Sequence, residues 1–317
     1  MNSIVLKSYA KINLSLDVLG LLPNGYHLVE MIMQQVELHD LVTIEWDETN
    51  EKSNIELAVN KTTLPLDNNN IAYRAAEIMR ERFKKKGVIR INIEKNIPIA
   101  AGLAGGSGNG AAVIHGLNYL WGTKLDVKEL CNIGVKLGAD VPFCIMGQAK
   151  SNKILNLYED ILASTCALAQ GIGDELTPVE PLEATILLSK PSIGISTAEV
   201  YKGIDKEMGF SLPAENESIR IEHHINTKSI INGLNEKKYN KILCEMTNLL
   251  EIFSIKRYPI IMYTKDMIQN ASRAQKVLMS GSGPTVFCIY SARNLAELDF
   301  EVLRRVNEET YITNTSL

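Results

Sequence analysis

Residues 98–117, PIAAGLAGGSGNGAAVIHGL, place five glycines in the nine positions from Gly102 to Gly110 and then continue as a helix-like run. Glycine is a poor helix former, so such density at a helix start needs a reason other than the helix itself. Four readings compete. A Walker-type loop must end in Gly-Lys-Ser/Thr, and no lysine lies between Lys95 and Lys124, which removes it. A dinucleotide fingerprint can be traced through Gly106, Gly108 and Ala111, but that motif belongs tightly between a buried strand and its helix, and here residues 96–103 intervene. A glycine-rich turn with no ligand is the third reading. The fourth is a phosphate cradle, in which backbone N–H groups converge on an anion at the positive end of a helix. Ser107 can add a hydroxyl and Lys95 can reach in from the preceding strand, so the residues favour the cradle.

Other residues with chemical potential are quieter. Asp140 precedes Val-Pro, where an aspartate is most often a turn residue, and Lys11 lies in a strand-like run, where a lysine usually faces solvent. Asn24-Gly25 reads as a turn, with Tyr26 and His27 following it.

The elements that must position these groups are read from periodicity. The runs IVLKSY, INLSLDV, EMIMQQVEL, VTIEW and NIELAV alternate and are rich in β-branched residues, so each predicts a strand. Residues 70–86 have helical spacing, a cationic last turn and Gly87 as a stop. VIRINIEK (88–95) is a further strand leading to the glycines, and 126–138 is a helix opened by an Asp126/Glu129 capping box. Strand-like segments recur at 184–189, 276–280 and 285–290, and helix-like ones at 197–203, 227–250, 258–271 and 293–306. Strands and helices do not alternate regularly, which favours α+β over a doubly wound sheet. The pattern restarts near 150–170, a candidate domain boundary.

Composition narrows the function. The 317 residues are 45% hydrophobic and 22% charged, ample for a core in one or two domains. Lys plus Arg number 33 against 37 Asp plus Glu, a net charge of −4 that argues against nucleic acid as partner. No stretch is apolar and long enough for a membrane span, and the opening residues are too charged for a signal peptide. The five cysteines at 131, 144, 166, 244 and 288 are scattered, as expected for reduced thiols in the cytoplasm.

Three segments together resemble the GHMP small-molecule kinases. PIAAGLAGGSGNGAA is similar to that family's phosphate-binding motif, SYAKINLSLDVLGLLPNGYHLVE to its N-terminal motif, and VLMSGSGPTVFCIY to its C-terminal glycine motif, in the family's order. NGYH and LGADVPFCIMG narrow the likeness to members acting on a cytidine diphosphate sugar-alcohol. The resemblance implies an α+β fold with mixed and antiparallel sheets, an ATP-binding domain over 1–165, a second domain over 166–317, and an active site in the cleft between them. It implies transfer of the γ-phosphoryl of ATP, with Mg²⁺, to a hydroxyl of a small alcohol, and no protein ligand for the metal can be named. The enzyme is expected to be a monomer or homodimer whose partners are small molecules.

Residue by residue, Asp140 falls on the family's catalytic aspartate and Lys11 on its partner lysine. Tyr26 and His27 match positions that hold the cytosine ring, with Asn13 on the same wall. The nucleotide phosphates are assigned to Lys95 and to the run Pro98, Ile99, Ala100, Ala101, Gly102, Leu103, Ala104, Gly105, Gly106, Ser107, Gly108 and Asn109. Asn70 corresponds to a residue near the adenine. Gly281, Ser282 and Gly283 are expected to close over the substrate.

The chain departs from the family at several points. Gly108 stands for a second serine or aspartate and Gly110 for alanine, which should loosen the helix start by about 1 kcal/mol at Gly110. Leu249 stands for an aspartate. An insertion over 149–165 places Ile154, Leu157, Tyr158, Ile161 and Leu162 at helical spacing and predicts a short amphipathic helix. These departures keep two alternatives open: a catalytically weakened nucleotide-binding paralogue, and a kinase of the same fold for another alcohol such as homoserine or mevalonate.

Overall fold

The computed structural model describes residues 2–49, 53–212 and 221–317. Two long strands, β1 (Asn2–Leu21) and β2 (His27–Asp47), pair with each other, and the chain divides into two compact units. The runs read as four short strands are thus two continuous ones. Each strand contributes residues to both units.

The first unit gathers Met1–Ala10, Leu38–Ile97 and Ala104–Thr165. Its sheet portion holds β3 (Asn54–Val59), parallel to β4 (Val88–Glu94), which is antiparallel to Leu41–Asp47 of β2. Between β3 and β4 lies α1 (Ile71–Phe83). In β4 the residues Ile89, Ile91 and Ile93 are buried while Asn92 and Glu94 are exposed, the period-two signature of a sheet with one face on the core. Helix α1 stops before Gly87, at Lys84 in the left-handed region (φ 49°). Gly87 serves a different need: at φ 101° its missing Cβ would lie 2.3 Å from the Asp47 carbonyl oxygen.

Helix α2 (Gly105–Trp121) is buried over most of its length, and α3 (Val127–Gly134) follows. The expected capping box is present in α3: Glu129 N donates to Asp126 Oδ1 at 2.8 Å, and Asp126 N to Glu129 Oε2 at 3.1 Å. The helix ends at Gly134, earlier than expected. Then comes α4 (Val141–Ser151), with Pro142 in its first turn.

The insertion does not form the expected amphipathic helix. After α4 a single 3₁₀ turn spans Lys153–Leu155, and Asn156 then turns left-handed (φ 56°), which breaks any helical register. Ile154 and Ile161 are 51% and 89% exposed, so the spacing that suggested a buried stripe has no surface to serve. The segment is instead held by polar ties. Asn152 bonds the backbone of Lys7 through both amide atoms at 3.0 Å, and the Asp160 carboxylate accepts from Val127 N at 3.1 Å and Leu162 N at 2.9 Å.

The second unit gathers Lys11–Glu37, Pro98–Leu103 and Cys166–Leu317. Strands β5 (Cys166–Gln170) and β6 (Glu175–Pro178) extend the first part of β2, with Met31–Gln34 opposite Cys166–Ala169. Next along the chain come β7 (Thr185–Lys190) and helices α5 (Thr197–Met208), α6 (Thr227–Asn235), α7 (Tyr239–Glu245), α8 (Glu251–Arg257) and α9 (Pro259–Gln269). The helix expected over 227–250 is two, because Lys237 adopts φ 53° and Lys238 N caps Gly233 O at 2.8 Å. Strands β8 (Lys276–Met279) and β9 (Val286–Tyr290), helix α10 (Arg293–Leu303) and β10 (Glu309–Asn314) complete it. The order β10-β7-β9-β8 is antiparallel throughout, and every residue of β9 is buried. Distant residues stitch this unit together: Val36 bridges Thr315, and Gln34 Nε2 donates to Ser316 O at 2.9 Å. The whole is α+β, as the irregular element order predicts.

Gly110 shows why the departures near the glycine stretch are tolerated. A Cβ there would meet Ile71 Cγ2 at 2.6 Å, so the missing side chain lets α1 and α2 approach closely. Gly110→Ala should therefore lower the unfolding free energy by about 1–3 kcal/mol, although alanine is the better helix former. Adding Ile71→Ala should remove the clash, and chemical denaturation of the two variants checks it. An alanine variant as stable as the parent would show that the helices part at no cost.

Candidate active site

In the first unit the predicted phosphate residues meet at the start of α2. Ala104 is its N-cap in the left-handed region (φ 55°), and the first intrahelical bond runs from Gly108 N to Ala104 O at 2.8 Å. The N–H groups of Gly105, Gly106 and Ser107 find no acceptor among the described residues, no side chain caps them, and no acid stands in the first turn. Gly106 is exposed and Ser107 half-buried. This is an open, positively polarised helix end, suited to an anion.

Lys95 leaves the end of β4 and is buried. Its ammonium donates to Asp40 Oδ2 and, at 3.0 Å, to Asn109 Oδ1, and a Cβ on Gly105 would touch it at 3.0 Å. Asp40 is fully buried and also accepts from Asn109 Nδ2 at 2.8 Å, Asn96 N at 2.7 Å and Ile97 N at 2.8 Å. Sequence reasoning missed Asp40; a lone acid ending the apolar strand before VTIEW was the available signal. Asn109 Nδ2 donates onward to Ser8 Oγ at 3.1 Å. Gly108 has a reason here too: a Cβ would lie 2.6 Å from Ser8 Oγ, and its carbonyl accepts from Gln148 Nε2 at 2.8 Å.

Two further residues of this unit were predicted. Asn70 is the N-cap of α1; its Oδ1 accepts from Ala72 N at 3.0 Å and its Nδ2 donates to Pro65 O at 2.9 Å, so its amide is occupied by its own backbone. Asp140 precedes α4 as N-cap, half-buried, and its carboxylate makes no capping bond to that helix.

The remaining predicted residues belong to the second unit, where both glycine loops meet. Lys11 N donates to Leu103 O at 3.1 Å, and Ser280 Oγ to Gly102 O at 3.0 Å. Gly102 (φ 72°) must be glycine, because a Cβ would lie 2.2 Å from Ser280 O. Pro98 and Ala101 are buried, Ile99 is half-buried, and Ala100 is exposed with φ 51°. Lys11 Nζ donates to Asn13 Oδ1 at 2.7 Å, and a Cβ on Gly281 would lie 3.5 Å from that ammonium. Asn248, beside the divergent Leu249, donates to Met279 O and Gly281 O, both at 2.8 Å, and so holds the second loop. Ser282 Oγ lies 3.0 Å from Thr197 Oγ1.

Tyr26 and His27 follow the predicted turn. Gly25 has φ 82°, Asn24 Oδ1 accepts from Tyr26 N at 3.1 Å, and Leu22 N donates to Tyr26 O at 2.7 Å. Tyr26 is 58% exposed, a large aromatic surface turned to solvent. The His27 ring packs at 4.7 Å centroid distance from Tyr201, and its Nε2 lies 2.6 Å from Asp205 Oδ1. Neither α5 residue was found from sequence, since their pairing with His27 is long-range. Among the described residues no three His, Cys, Asp or Glu side chains stand together as a metal site, and no helix is long and apolar enough to cross a membrane.

This arrangement corresponds to a known class. Residues 70–148 match the GHMP kinases N terminal domain. A crystal structure of 4-(cytidine 5'-diphospho)-2C-methyl-D-erythritol kinase aligns over 99% of this chain and 100% of its own, with TM-score 0.76 and 24% identity, so the fold is that of the GHMP kinases. The chain is 42% identical to the 4-diphosphocytidyl-2-C-methyl-D-erythritol kinase of Alkaliphilus metalliredigens over 99% of its length and 97% of the relative. It is 41% identical to the enzyme of that name from Clostridioides difficile, over 100% and 96%. It belongs to this family of kinases.

The Lys95–Asp40 pair has a consequence for stability. Asp40→Asn leaves a buried ammonium without its counter-charge and should cost about 3–5 kcal/mol. The double variant Asp40→Asn/Lys95→Met should recover part of that loss in denaturant unfolding. A double variant no more stable than Asp40→Asn would mean that the carboxylate's backbone bonds, rather than the pair, carry the effect.

Proposed function

We propose that this chain transfers the γ-phosphoryl group of ATP to the 2-hydroxyl of 4-diphosphocytidyl-2-C-methyl-D-erythritol, in the non-mevalonate route to isoprenoid precursors. The observation that carries the reading is full-length identity above 40% to kinases of that name, in a chain that keeps Lys11, Asp140 and the glycine loops. The open N-terminus of α2 supports it chemically, because three N–H groups and a hydroxyl with no competing acid suit a triphosphate.

The roles follow from what phosphoryl transfer needs. The transition state is loose, so positioning and charge stabilisation outweigh the strength of the base. Gly105, Gly106 and Ser107 hold the phosphates, while Lys95 and Asn109 keep the helix start in place. Asp140, half-buried at the start of α4, accepts the hydroxyl proton. Lys11 brings positive charge to the reacting oxygens. Tyr26 and His27 receive the cytosine, with Asn13 on the same wall, and Gly281 to Gly283 close over the substrate. Mg²⁺ accompanies the nucleotide and neutralises charge on its phosphates. In this reading residues 1–165 carry most of the ATP site and 166–317 the second glycine loop, in a cytoplasmic monomer or homodimer.

Incubation with ATP, Mg²⁺ and the cytidine diphosphate alcohol should yield, by mass spectrometry, a product heavier by one phosphate. ADP release with no phosphorylated product would refute the assignment. Asp140→Asn should reduce kcat by a factor on the order of 10²–10⁴ with ATP binding little changed. Turnover equal to the parent's would remove Asp140 from the chemistry.

A further inference from the structure

We propose that Gln148 is a positioning residue for the transfer: its side-chain amide sets helix α4, and with it Asp140, in one register against the first turn of α2. This inference rests on the proposed role of Asp140 as acceptor of the hydroxyl proton. It adds the residue through which that carboxylate is placed relative to the open start of α2.

Helix α4 is buried from Val141 to Ala149 and packs against α2. Apolar packing is non-directional, so by itself it tolerates small slides of one helix along the other. Gln148 adds a direction. Its Nε2 donates to Gly108 O at 2.8 Å, next to Asn109, whose side chain is itself pinned by Lys95, Asp40 and Ser8. At the other end of α4, Cys144 N donates to Asp140 O at 3.2 Å, so the aspartate moves with the helix. The path from Asp140 to Gln148 is a helical rod about 12 Å long, and a slide at one end is felt in full at the other.

Stability does not explain the glutamine. The side chain is fully buried, and its Oε1 has no hydrogen-bond partner among the described residues, a penalty that a leucine would not incur. Nor would a leucine leave a new orphan behind, because Gly108 O sits inside α2, where the intrahelical bond from Ala112 N already uses it. What only the amide supplies is a fixed point between the two helices. Phosphoryl transfer is sensitive to such a point, since misplacing a reacting group by about 1 Å can slow a reaction on the order of a hundredfold.

The test is a double-mutant cycle on the full chain, with phosphoryl transfer from ATP to the cytidine diphosphate alcohol as its readout. Gln148→Leu should lower kcat on the order of ten- to a hundredfold. Affinity for a non-hydrolysable ATP analogue should stay within about twofold, because the contacts to Asp40 still hold the start of α2. The denaturant midpoint should equal or exceed the parent's. In an Asp140→Asn background the same substitution should change kcat by less than about twofold, since the group it places is already gone. Asn152→Ala gives the structural comparison: it cuts the tie between the end of α4 and Lys7, and should lower the midpoint with kcat close to the parent's. Gln148→Leu with parental kcat overturns the proposal. So does a loss of the same size with and without the Asp140 carboxylate, or a loss of that size from Asn152→Ala. If Gln148→Leu does not fold, Gln148→Met, closer in shape and equally without a donor, is read in its place. Failure of both to fold gives the glutamine to the fold and also overturns the proposal. A parent that transfers no phosphoryl group, or an Asp140→Asn protein as fast as the parent, sinks the underlying reading and this one with it. A slow Asp140→Asn beside a fast Gln148→Leu sinks only this one.

Discussion

Asp40 is a charge with no access to water, and it is tolerable only because four donors converge on it from three directions: the Lys95 ammonium, the Asn109 amide and the backbone N–H groups of Asn96 and Ile97. Satisfying it fixes the middle of β2, the exit from β4 and the first turn of α2 at one point. The open N–H groups of Gly105 to Ser107 owe their position to that knot. A lysine beside an open helix N-terminus is readily pictured reaching for an anion; here its charge already has an internal counterpart. The positive potential offered to an anion therefore comes first from backbone dipoles, which are preorganised and cannot rotate away.

The glycines divide by cause. Gly102 answers both a left-handed backbone and a close carbonyl, whereas Gly108 and Gly110 answer only close packing, against Ser8 and Ile71. What counts as a loosened helix start by intrinsic propensity is, in place, a tightened junction. Propensity measures the helix alone, and tertiary contacts override it wherever two elements must approach within the breadth of a methyl group.

Much of this was legible in the sequence. The α+β class followed from irregular element order, the Asp126/Glu129 box from local chemistry, and the uncapped glycine-led start of α2 from the conflict between glycine and helix. Illegible features share a physical reason: they depend on partners distant in the chain. Asp40 alone is one acid between two apolar runs, and its meaning appears only when Lys95 and Asn109 fold onto it. Tyr201 and Asp205 are ordinary residues of an amphipathic helix until His27 arrives from a turn far upstream. The insertion failed in the opposite sense, because the spacing of its apolar residues promised a helix that one left-handed Asn156 and the ties at Asn152 and Asp160 replaced with turns.

The stitching of Gln34 to Ser316 and of Val36 to Thr315 has a bearing on how the chain comes to its structure. The first unit draws on no residue beyond Thr165, whereas the second cannot close its strands until residues some 280 positions apart are both present. Loop closure over such a span is entropically costly and slow. During vectorial synthesis the downstream half of β2 can be engaged once β4 is made, whereas Met31–Gln34 wait for β5 and Val36 waits for Thr315. The same strand is thus an early scaffold at one end and a late, aggregation-exposed surface at the other, a stretch for a chaperone to guard.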